Sequence, residues 1–233
     1  IRSPHVVRVL GVGSVDSLVP YIAMERLQGQ DRGVELRERG NLPVNEVVRM
    51  VEDVAEGLMA AHALHVVHRD LKPNNVFRSQ SGQGRSMWKV LDFGVSKHLG
   101  SGEVSLTAAE IVGTPQYMAP EQARGERDLD ARVDVYGLGA IAYRCITGEA
   151  PFTGEVPAIL RAIEFDMPRA PSERRQVHGD VDLVLAIALA KRPEQRFDDA
   201  RSFALALDKA VRGELERELR MRAKSLLAER PYR

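Results

Sequence analysis

The stretch HRDLKPNN, residues 68–75, is the densest run of polar and charged side chains in the sequence. Asp92-Phe93-Gly94 follows it about twenty residues later, and GTPQYMAPE follows at residues 113–121. Taken singly, these segments are a charged turn, a turn at the end of a strand and a loop interrupted by prolines. Their order and spacing restrict the fold and the chemistry much more than any one of them does.

Hydrophobic periodicity around these segments predicts few strands and many helices. Apolar residues recur every three or four positions from residue 44 to residue 58, directly after Pro43, which is typical of an amphipathic helix. Residues 131–147 are apolar nearly all round and end at Gly148, as expected of a buried central helix. Short strands are predicted at residues 5–12, 18–25, 75–78 and 88–92, and further helices at 156–165, 181–190 and 198–211. This order of elements indicates an α+β fold with a dominant helical part.

Composition excludes several classes of protein. The 233 residues contain 33 Lys and Arg against 33 Asp and Glu, so no net charge favours nucleic acid as a partner. A single cysteine, Cys145, excludes an internal disulfide framework and fits a reducing compartment, which predicts a cytoplasmic location. No apolar stretch approaches the roughly 20 residues that a membrane span needs.

Taken together, the three segments resemble the catalytic loop, the metal-binding turn and the substrate-binding loop of eukaryotic-like Ser/Thr protein kinases of the bacterial type. The resemblance covers residues 5–211 approximately. It implies a protein-kinase-like α+β fold, mainly the α-helical C-lobe plus the hinge-side strands of an incomplete N-lobe. It divides the chain into residues 1–27 as partial N-lobe strands and hinge, 28–211 as C-lobe, and 212–233 as a helical tail or linker.

The resemblance implies transfer of the γ-phosphoryl group of Mg-ATP to a Ser or Thr hydroxyl of a protein substrate, with ATP and Mg²⁺ as cofactors. Asp70 matches the carboxylate that orients the attacking hydroxyl, and Lys72 the lysine that approaches the transferred phosphate. Asp92 and Asn75 match the ligands of the magnesium ions, which prefer oxygen donors. Thr114 matches the hydroxyl that bridges Asp70 and Lys72 in Ser/Thr kinases.

The nucleotide-binding positions follow from the same resemblance. Met24, Glu25 and Leu27 match the gatekeeper and hinge, whose backbone groups hydrogen-bond adenine. Phe77 matches the apolar floor of the adenine pocket. Asp31 falls near the position that contacts the ribose.

Other matching residues have structural or regulatory roles in the family. Glu121 and Arg196 resemble a buried ion pair that holds the substrate loop, and Asp134 resembles the aspartate that holds the catalytic-loop backbone. The structural residues within the motifs are His68, Phe93 and Gly94. Arg69 matches an arginine that receives an activation-loop phosphate, for which Ser105 and Thr107 are the candidate acceptors.

The sequence departs from the family pattern at its start. Its first lysine is Lys72, so no strand lysine precedes the catalytic loop. The glycine-containing run at residues 11–16 ends in Asp16 where a phosphate loop needs glycine, and we expect it to form only a turn between two strands. We therefore expect the chain to be the C-terminal part of a longer kinase, with little activity alone and with exposed strand edges prone to aggregation.

Two other functions compete with this interpretation. A non-catalytic, pseudokinase-like docking module is favoured by the missing lysine and disfavoured by the presence of both Asp92 and Asn75. A phosphotransferase acting on small molecules is disfavoured by Thr114 and by the peptide-binding segment at residues 119–121. The predicted partners are a protein substrate, ATP and a second copy of the kinase domain, with neither nucleic acid nor a membrane segment.

Overall fold

The structure of the chain is a computed structural model that describes residues 1–15, 19–80, 86–93 and 115–233. Four residues with predicted roles, Gly94, Ser105, Thr107 and Thr114, lie outside the described residues. Their roles therefore remain predictions from the sequence.

The strands form two separate sheets. β1 (Val9–Val15) and β2 (Val19–Met24) make an antiparallel ribbon. β3 (Gly29–Asp31), β4 (Val76–Gln80) and β5 (Ser86–Val90) make a second antiparallel sheet, in which β4 lies between the other two. The second sheet thus brings the segment after the predicted hinge next to the strand that follows the predicted catalytic loop.

Residues 11–15 of the glycine-containing run lie in β1, although we predicted that the run forms a turn. Gly11 and Gly13 are residues of β1, and they pair across the ribbon with Ala23 and Tyr21. The prediction placed the turn at Gly13 because glycine favours turns, but the antiparallel pairing with β2 continues as far as Val15. The next described element after β1 is the strand β2, so within the described residues this run lacks the strand–loop–helix arrangement of a phosphate-binding loop.

Helices make up nearly half of the described residues. The element bounds are α1 (Arg32–Arg39), α2 (Val44–His62), α3 (Pro120–Ala123), α4 (Arg132–Thr147), α5 (Val156–Phe165), α6 (Pro171–Arg174), α7 (Gly179–Ala188), α8 (Ala200–Val211) and α9 (Arg217–Glu229). The predominance of helix and the two small sheets confirm the predicted α+β fold class. None of the helices in the described ranges is both long enough and apolar enough to cross a bilayer.

α4 is the central helix of the helical part, as its apolar sequence predicted. It packs against α2, α7 and α8, and nearly all of its side chains are buried. It ends where Gly148 takes the left-handed conformation with φ of 86°, and the Gly148 N–H bonds to the carbonyl oxygen of Arg144 at 3.0 Å. Glycine adopts this conformation without steric cost, which is why the helix ends at this residue.

The β1–β2 ribbon lies outside this core. Its apolar side chains face solvent, and Val12 keeps 75% of its surface exposed. Leu10, Val19 and Tyr21 are each more than half exposed. A ribbon with exposed apolar side chains and unpaired edges favours association with other chains, as the sequence led us to expect.

The C-terminal helix α9 packs onto the helical part. Its contacts are mainly with α7, and Ala223 at its centre is fully buried. Leu215, just before the helix, is also buried, and Leu219 and Leu226 pack against the same core. These apolar residues therefore form the surface by which α9 is docked.

Lys191 is an amine buried among apolar and cationic groups. Its side chain is 5% exposed, and its Nζ lies 4.8 Å from the centre of the Phe152 ring. Within the described part of the chain, no group accepts a hydrogen bond from this Nζ. Burial lowers the pKa of Lys191 to about 7, and repulsion from Arg230 and Arg196 acts in the same direction.

Replacing Lys191 with methionine should stabilise the fold and change its pH dependence. In the unfolded chain a lysine has a pKa of about 10.4, so between about pH 7 and pH 10.4 the unfolded state binds a proton that the native state lacks. Lys191 therefore makes stability rise with pH across this window. We expect this rise in stability with pH to be absent from Lys191→Met. Urea unfolding of variant and wild type measures it, because the difference in unfolding free energy between the two proteins should change between pH 7 and pH 9. Lys224 is exposed, so Lys224→Met serves as the control. If the difference in unfolding free energy between Lys191→Met and wild type is the same at pH 7 and pH 9, the lowered pKa is contradicted.

Candidate active site

Asp134, in the first turn of α4, holds the backbone of the predicted catalytic loop. One carboxylate oxygen accepts a hydrogen bond from the backbone N–H of His68 at 2.8 Å, and the other accepts from that of Arg69 at 3.0 Å. The ring Nε2 of His62 donates to the first oxygen at 2.8 Å, since a carboxylate can only accept. Asp134 is 1% exposed. The central helix thus fixes the loop by satisfying its buried donors.

Unusual backbone conformations mark two of the predicted site residues. Arg69 has φ of 63° and Asp92 has φ of 45°, both in the left-handed region. A non-glycine residue held there costs about 1–3 kcal/mol, so the surrounding structure must compensate. Such strain is concentrated at functional sites in proteins, and here it occurs on both sides of the predicted reaction centre.

Asp70, Lys72 and Asn75 form one hydrogen-bonded cluster. The Nζ of Lys72 lies 2.8 Å from one Asp70 carboxylate oxygen. The Asn75 side-chain amide donates to the Asp70 carbonyl oxygen at 2.9 Å and lies 3.4 Å from the same carboxylate oxygen. Asp70 keeps 45% of its side-chain surface exposed, so its carboxylate is accessible to a substrate hydroxyl. The structure therefore brings these three predicted residues together.

Asp92 lies beside this cluster because of the pairing of β4 with β5. Val76 pairs with Val90, so Asn75 before β4 and Asp92 after β5 lie at the same end of the sheet. The backbone N–H of Leu91 donates to the Asn75 carbonyl oxygen at 2.9 Å. Asp92 itself is exposed. A carboxylate and a side-chain amide are thus presented to the same side of the site.

His68 and Phe93 connect the catalytic loop to the Asp92 turn. The Nε2 of His68 donates to the Leu91 carbonyl oxygen at 2.8 Å. The centres of the His68 and Phe93 rings are 4.9 Å apart, and the rings are tilted relative to each other. His68 is fully buried. The backbone before Asp92 is thereby held against the loop that carries Asp70.

The donors at this site fit magnesium bound together with a nucleotide. Magnesium in nucleotide sites is held by one or two protein oxygen ligands, with phosphate oxygens and water completing the octahedron. The Asp92 carboxylate and the Asn75 amide oxygen supply ligands of this type. Across the described ranges, no cluster of three or more His, Cys, Asp or Glu side chains is arranged to hold a metal by protein groups alone.

The predicted hinge lies at the end of β2. Met24 is exposed there, Leu27 is half-buried, and Glu25 joins three segments of the chain. The Glu25 carboxylate accepts from the Arg8 backbone N–H at 2.9 Å and lies 2.7 Å from the Lys89 Nζ. Burial acts to raise the pKa of Glu25, but the hydrogen bonds from Lys89 and from the Arg8 backbone together leave it below its usual value.

Asp31 and Phe77 lie opposite each other on the paired strands β3 and β4. An Asp31 carboxylate oxygen caps α1 by accepting from the Val34 N–H at 3.0 Å, and the Asn74 side-chain amide lies 3.3 Å from the same oxygen. Phe77, on β4, is half-buried and pairs with Asp31. Its predicted place under an adenine ring and the predicted ribose contact of Asp31 remain predictions.

The Glu121–Arg196 ion pair fixes the segment that follows residue 114. Each of two Arg196 guanidinium nitrogens lies 2.6 Å from a different Glu121 carboxylate oxygen, and both side chains are buried. The Arg196 Nε donates to the Ala190 carbonyl oxygen at 2.8 Å. Since the partners are 75 residues apart, the pair attaches α3 firmly to the helical part.

Gln122 has a role that the sequence analysis missed. Its side-chain amide donates to the Arg69 carbonyl oxygen at 2.7 Å, and its side-chain oxygen accepts from the Ala119 N–H at 3.1 Å. A small cavity of about 30 Å³ lies between this segment and the loop, lined among others by Asp70, Lys72 and Tyr117. The contact of His62 with Asp134 was also missed, because no local pattern marks His62 and its partner lies 72 residues away in the chain.

A further missed cluster lies under α1. The Arg32 guanidinium, fully buried, lies over the Trp88 ring at 3.7 Å and pairs with Glu35 at 3.0 Å. Arg78 of β4 also pairs with Glu35, at 3.1 Å. These contacts fix α1, and therefore the cap residue Asp31, against the sheet that leads to the catalytic loop.

Comparison with known proteins identifies the same family. Residues 1–207 match the model of the protein kinase domain. The chain is 34% identical over 221 residues to the serine/threonine-protein kinase PknB of Mycobacterium tuberculosis, covering 92% of this chain and 34% of that protein. It is 40% identical over 194 residues to the serine/threonine-protein kinase Pkn1 of Myxococcus xanthus, covering 82% of this chain and 28% of that protein. The chain thus spans about a third of the length of these curated relatives.

A solved structure also resembles this chain. The PknI kinase domain of Mycobacterium tuberculosis is 30% identical to it and superposes with a TM-score of 0.69, covering 90% of this chain and 73% of that one. These similarities confirm the predicted bacterial-type Ser/Thr kinase family and its fold.

Removing Arg196 should destabilise the fold strongly. Arg196→Ala leaves the Glu121 carboxylate buried without its partner, which costs about 3–5 kcal/mol of unfolding free energy. Arg124→Ala, which breaks the exposed pair with Glu126, should cost less than about 1 kcal/mol. Urea unfolding of both variants measures the difference. Equal losses would show that the buried pair does not stabilise this segment.

Proposed function

Because the chain belongs to the protein kinase family, in its bacterial Ser/Thr branch, we propose that the full-length protein transfers the γ-phosphoryl group of ATP to Ser or Thr hydroxyls of protein substrates. The observation that carries the proposal is the hydrogen-bonded cluster of Asp70, Lys72 and Asn75 beside Asp92. Since ATP is the phosphoryl donor, we assign the reaction to the cytoplasm.

Asp70 is the group that orients the acceptor hydroxyl and takes its proton. Its carboxylate is half-exposed and borders the cavity beneath the substrate segment. Phosphoryl transfer proceeds through a loose transition state, so catalysis depends mainly on positioning and on neutralising charge. Lys72, 2.8 Å from Asp70, orients this carboxylate and brings a positive charge to the transferred phosphoryl group.

Asp92 and Asn75 would hold Mg²⁺ together with the nucleotide phosphates. The ion supplies electrostatic neutralisation of phosphate charge when it is bound. The protein's own contribution is to keep both ligands at the same sheet end, through β4–β5 pairing and the His68–Leu91 hydrogen bond. The left-handed backbone at Asp92 directs this residue out of the strand, which supports its role as a ligand.

We also propose that phosphorylation regulates the site. Arg69 precedes Asp70 and is held by Asp134 and Gln122 through its backbone. A phosphate on Ser105 or Thr107 would pair with its guanidinium by charge-assisted hydrogen bonds and stabilise the strained loop.

The regulatory proposal predicts a modified residue in the active full-length protein. We expect mass-spectrometric phosphopeptide mapping to find phosphate on Thr107 or Ser105 after incubation with Mg-ATP, and to find none in an Asp70→Asn variant. Active enzyme without phosphate anywhere between residues 95 and 111 would contradict it.

Nucleotide binding should depend on Asp92. Calorimetry with Mg-ATP is expected to show metal-dependent binding that falls about tenfold to a hundredfold in Asp92→Asn, because the substitution removes the charged metal ligand. Asp128→Asn, an exposed aspartate outside the site, is the matched control. Equal affinity of the two variants would exclude Asp92 as a ligand.

Phosphoryl transfer should depend on Asp70. In the full-length protein we expect Asp70→Asn to lower kcat for a protein substrate by about a hundredfold or more, with little change in ATP affinity. The measurement is incorporation of labelled phosphate under steady-state conditions. A wild-type protein that binds Mg-ATP but transfers no phosphate would favour the non-catalytic docking function instead.

A further inference from the structure

The C-terminal helix α9 contacts the turn that carries Arg196. The Arg222 guanidinium donates to the carbonyl oxygen of Gln195 at 2.8 Å and also to that of Arg196. It also lies 5.9 Å from the centre of the Phe197 ring. α9 begins at residue 217, beyond residue 207 where the match to the kinase domain ends. This contact is therefore an addition to the matched domain.

The backbone and the side chain of Arg196 are held from opposite sides. Arg222 holds its carbonyl oxygen, while Glu121 and the Ala190 carbonyl oxygen hold its guanidinium. Arg196 is fully buried, so its side chain cannot turn independently of its backbone. A shift of α9 that moves the Arg196 backbone must therefore move Glu121 as well.

From Glu121 the contacts continue to the catalytic loop. The next residue in α3, Gln122, donates to the Arg69 carbonyl oxygen at 2.7 Å, and Arg69 directly precedes Asp70. The route from α9 to the loop thus consists of hydrogen bonds and an ion pair between buried or half-buried groups, joined by covalent links within and between neighbouring residues. Contiguous contacts of this kind couple two sites only if the contacting groups shift together between two arrangements. Substituting one of these groups tests whether they do.

We propose that α9 positions the substrate-binding segment and the catalytic loop through Arg222, so that the C-terminal segment of the chain sets the geometry around Asp70. Arg222 is a positioning residue, because it acts through Arg196 and contacts neither nucleotide nor acceptor. The consequence for catalysis rests on the proposed kinase function, whereas the coupling itself does not.

Arg220 provides a matched control on the same helix. It pairs with both Asp180 carboxylate oxygens, at 2.9 and 2.6 Å, and donates to the Gly213 carbonyl oxygen at 2.9 Å. These contacts attach α9 to the start of α7 and do not involve residues 195–196. Removing Arg220 therefore loosens the attachment of α9 to α7 but keeps the contact of Arg222 with Arg196. Removing Arg222 breaks the connection between α9 and Arg196.

The test is amide hydrogen exchange of Arg222→Ala and Arg220→Ala, resolved to single residues. The amides of Ala123 and Arg124, which bond to Ala119 and Pro120, report on the substrate segment. We expect both amides to exchange about fivefold faster or more in Arg222→Ala and less than about twofold faster in Arg220→Ala, which keeps the Arg222 contacts, under conditions where both variants are folded. Equal rates in the two variants, whether raised or unchanged, would overturn the proposal.

A conservative variant and an activity measurement complete the test. Arg222→Lys keeps a donor for the two carbonyl oxygens and should restore most of the protection. If Arg222→Ala does not fold, Arg222→Met against Arg220→Met gives the same comparison, because methionine keeps an apolar stem but has no N–H donor, and the effect should be smaller at Arg220. In the full-length protein, Arg222→Ala should raise KM for the protein substrate and leave KM for ATP unchanged. Absence of phosphoryl transfer in the wild type would refute the kinase function, and the exchange rates would still decide the coupling.

Discussion

A buried carboxylate, that of Asp134, organises the site. The loop of residues 68–75 turns sharply, and its first backbone N–H groups would be buried without partners if Asp134 did not accept from them. Leaving such a donor unsatisfied costs about 1–3 kcal/mol, which is a large fraction of the stability of a domain. The most buried helix, α4, supplies this carboxylate, so the loop takes its position from the most rigid element.

The proposed reaction centre is therefore assembled from segments that the core holds in place. β4 and β5 place Asn75 and Asp92 at one sheet end, His68 joins their turn to the loop, and α3 closes the site from the opposite side. Two left-handed residues, Arg69 and Asp92, are maintained by these contacts. The distribution is physically consistent, because a strained functional segment needs support from well-packed elements around it.

The Glu121–Arg196 pair contributes to the stability of the fold and also to the proposed function. Its atoms are buried at hydrogen-bonding distance, so neither partner can be lost without leaving a charge in a poorly polarisable environment. The same pair links α3, and so the surface facing Asp70, to the turn contacted by α9. A segment outside the matched kinase domain is thus connected to the loop that carries Asp70 through hydrogen bonds and an ion pair. Burial of Lys191 beside this turn shows that the chain tolerates an unfavourable charge environment there.

The amino-acid sequence by itself determined the family, the α+β class, the helix positions near residues 131–147 and 156–165, and the cluster around Asp70. These features follow from residue types at fixed local spacing. Phosphoryl-transfer chemistry requires particular polar residues at set positions in a loop, and an amphipathic or buried helix requires apolar residues at a regular period. Only the tertiary structure decided that β1 continues through Gly13 to Val15, that Gln122 holds the Arg69 carbonyl, and that Arg222 attaches α9 to the turn at residues 195–196. Each of these depends on groups from different segments, such as Gln122 and Arg69, which are 53 residues apart in the chain. Local patterns carry no record of such contacts, because they arise only when the core brings the segments together.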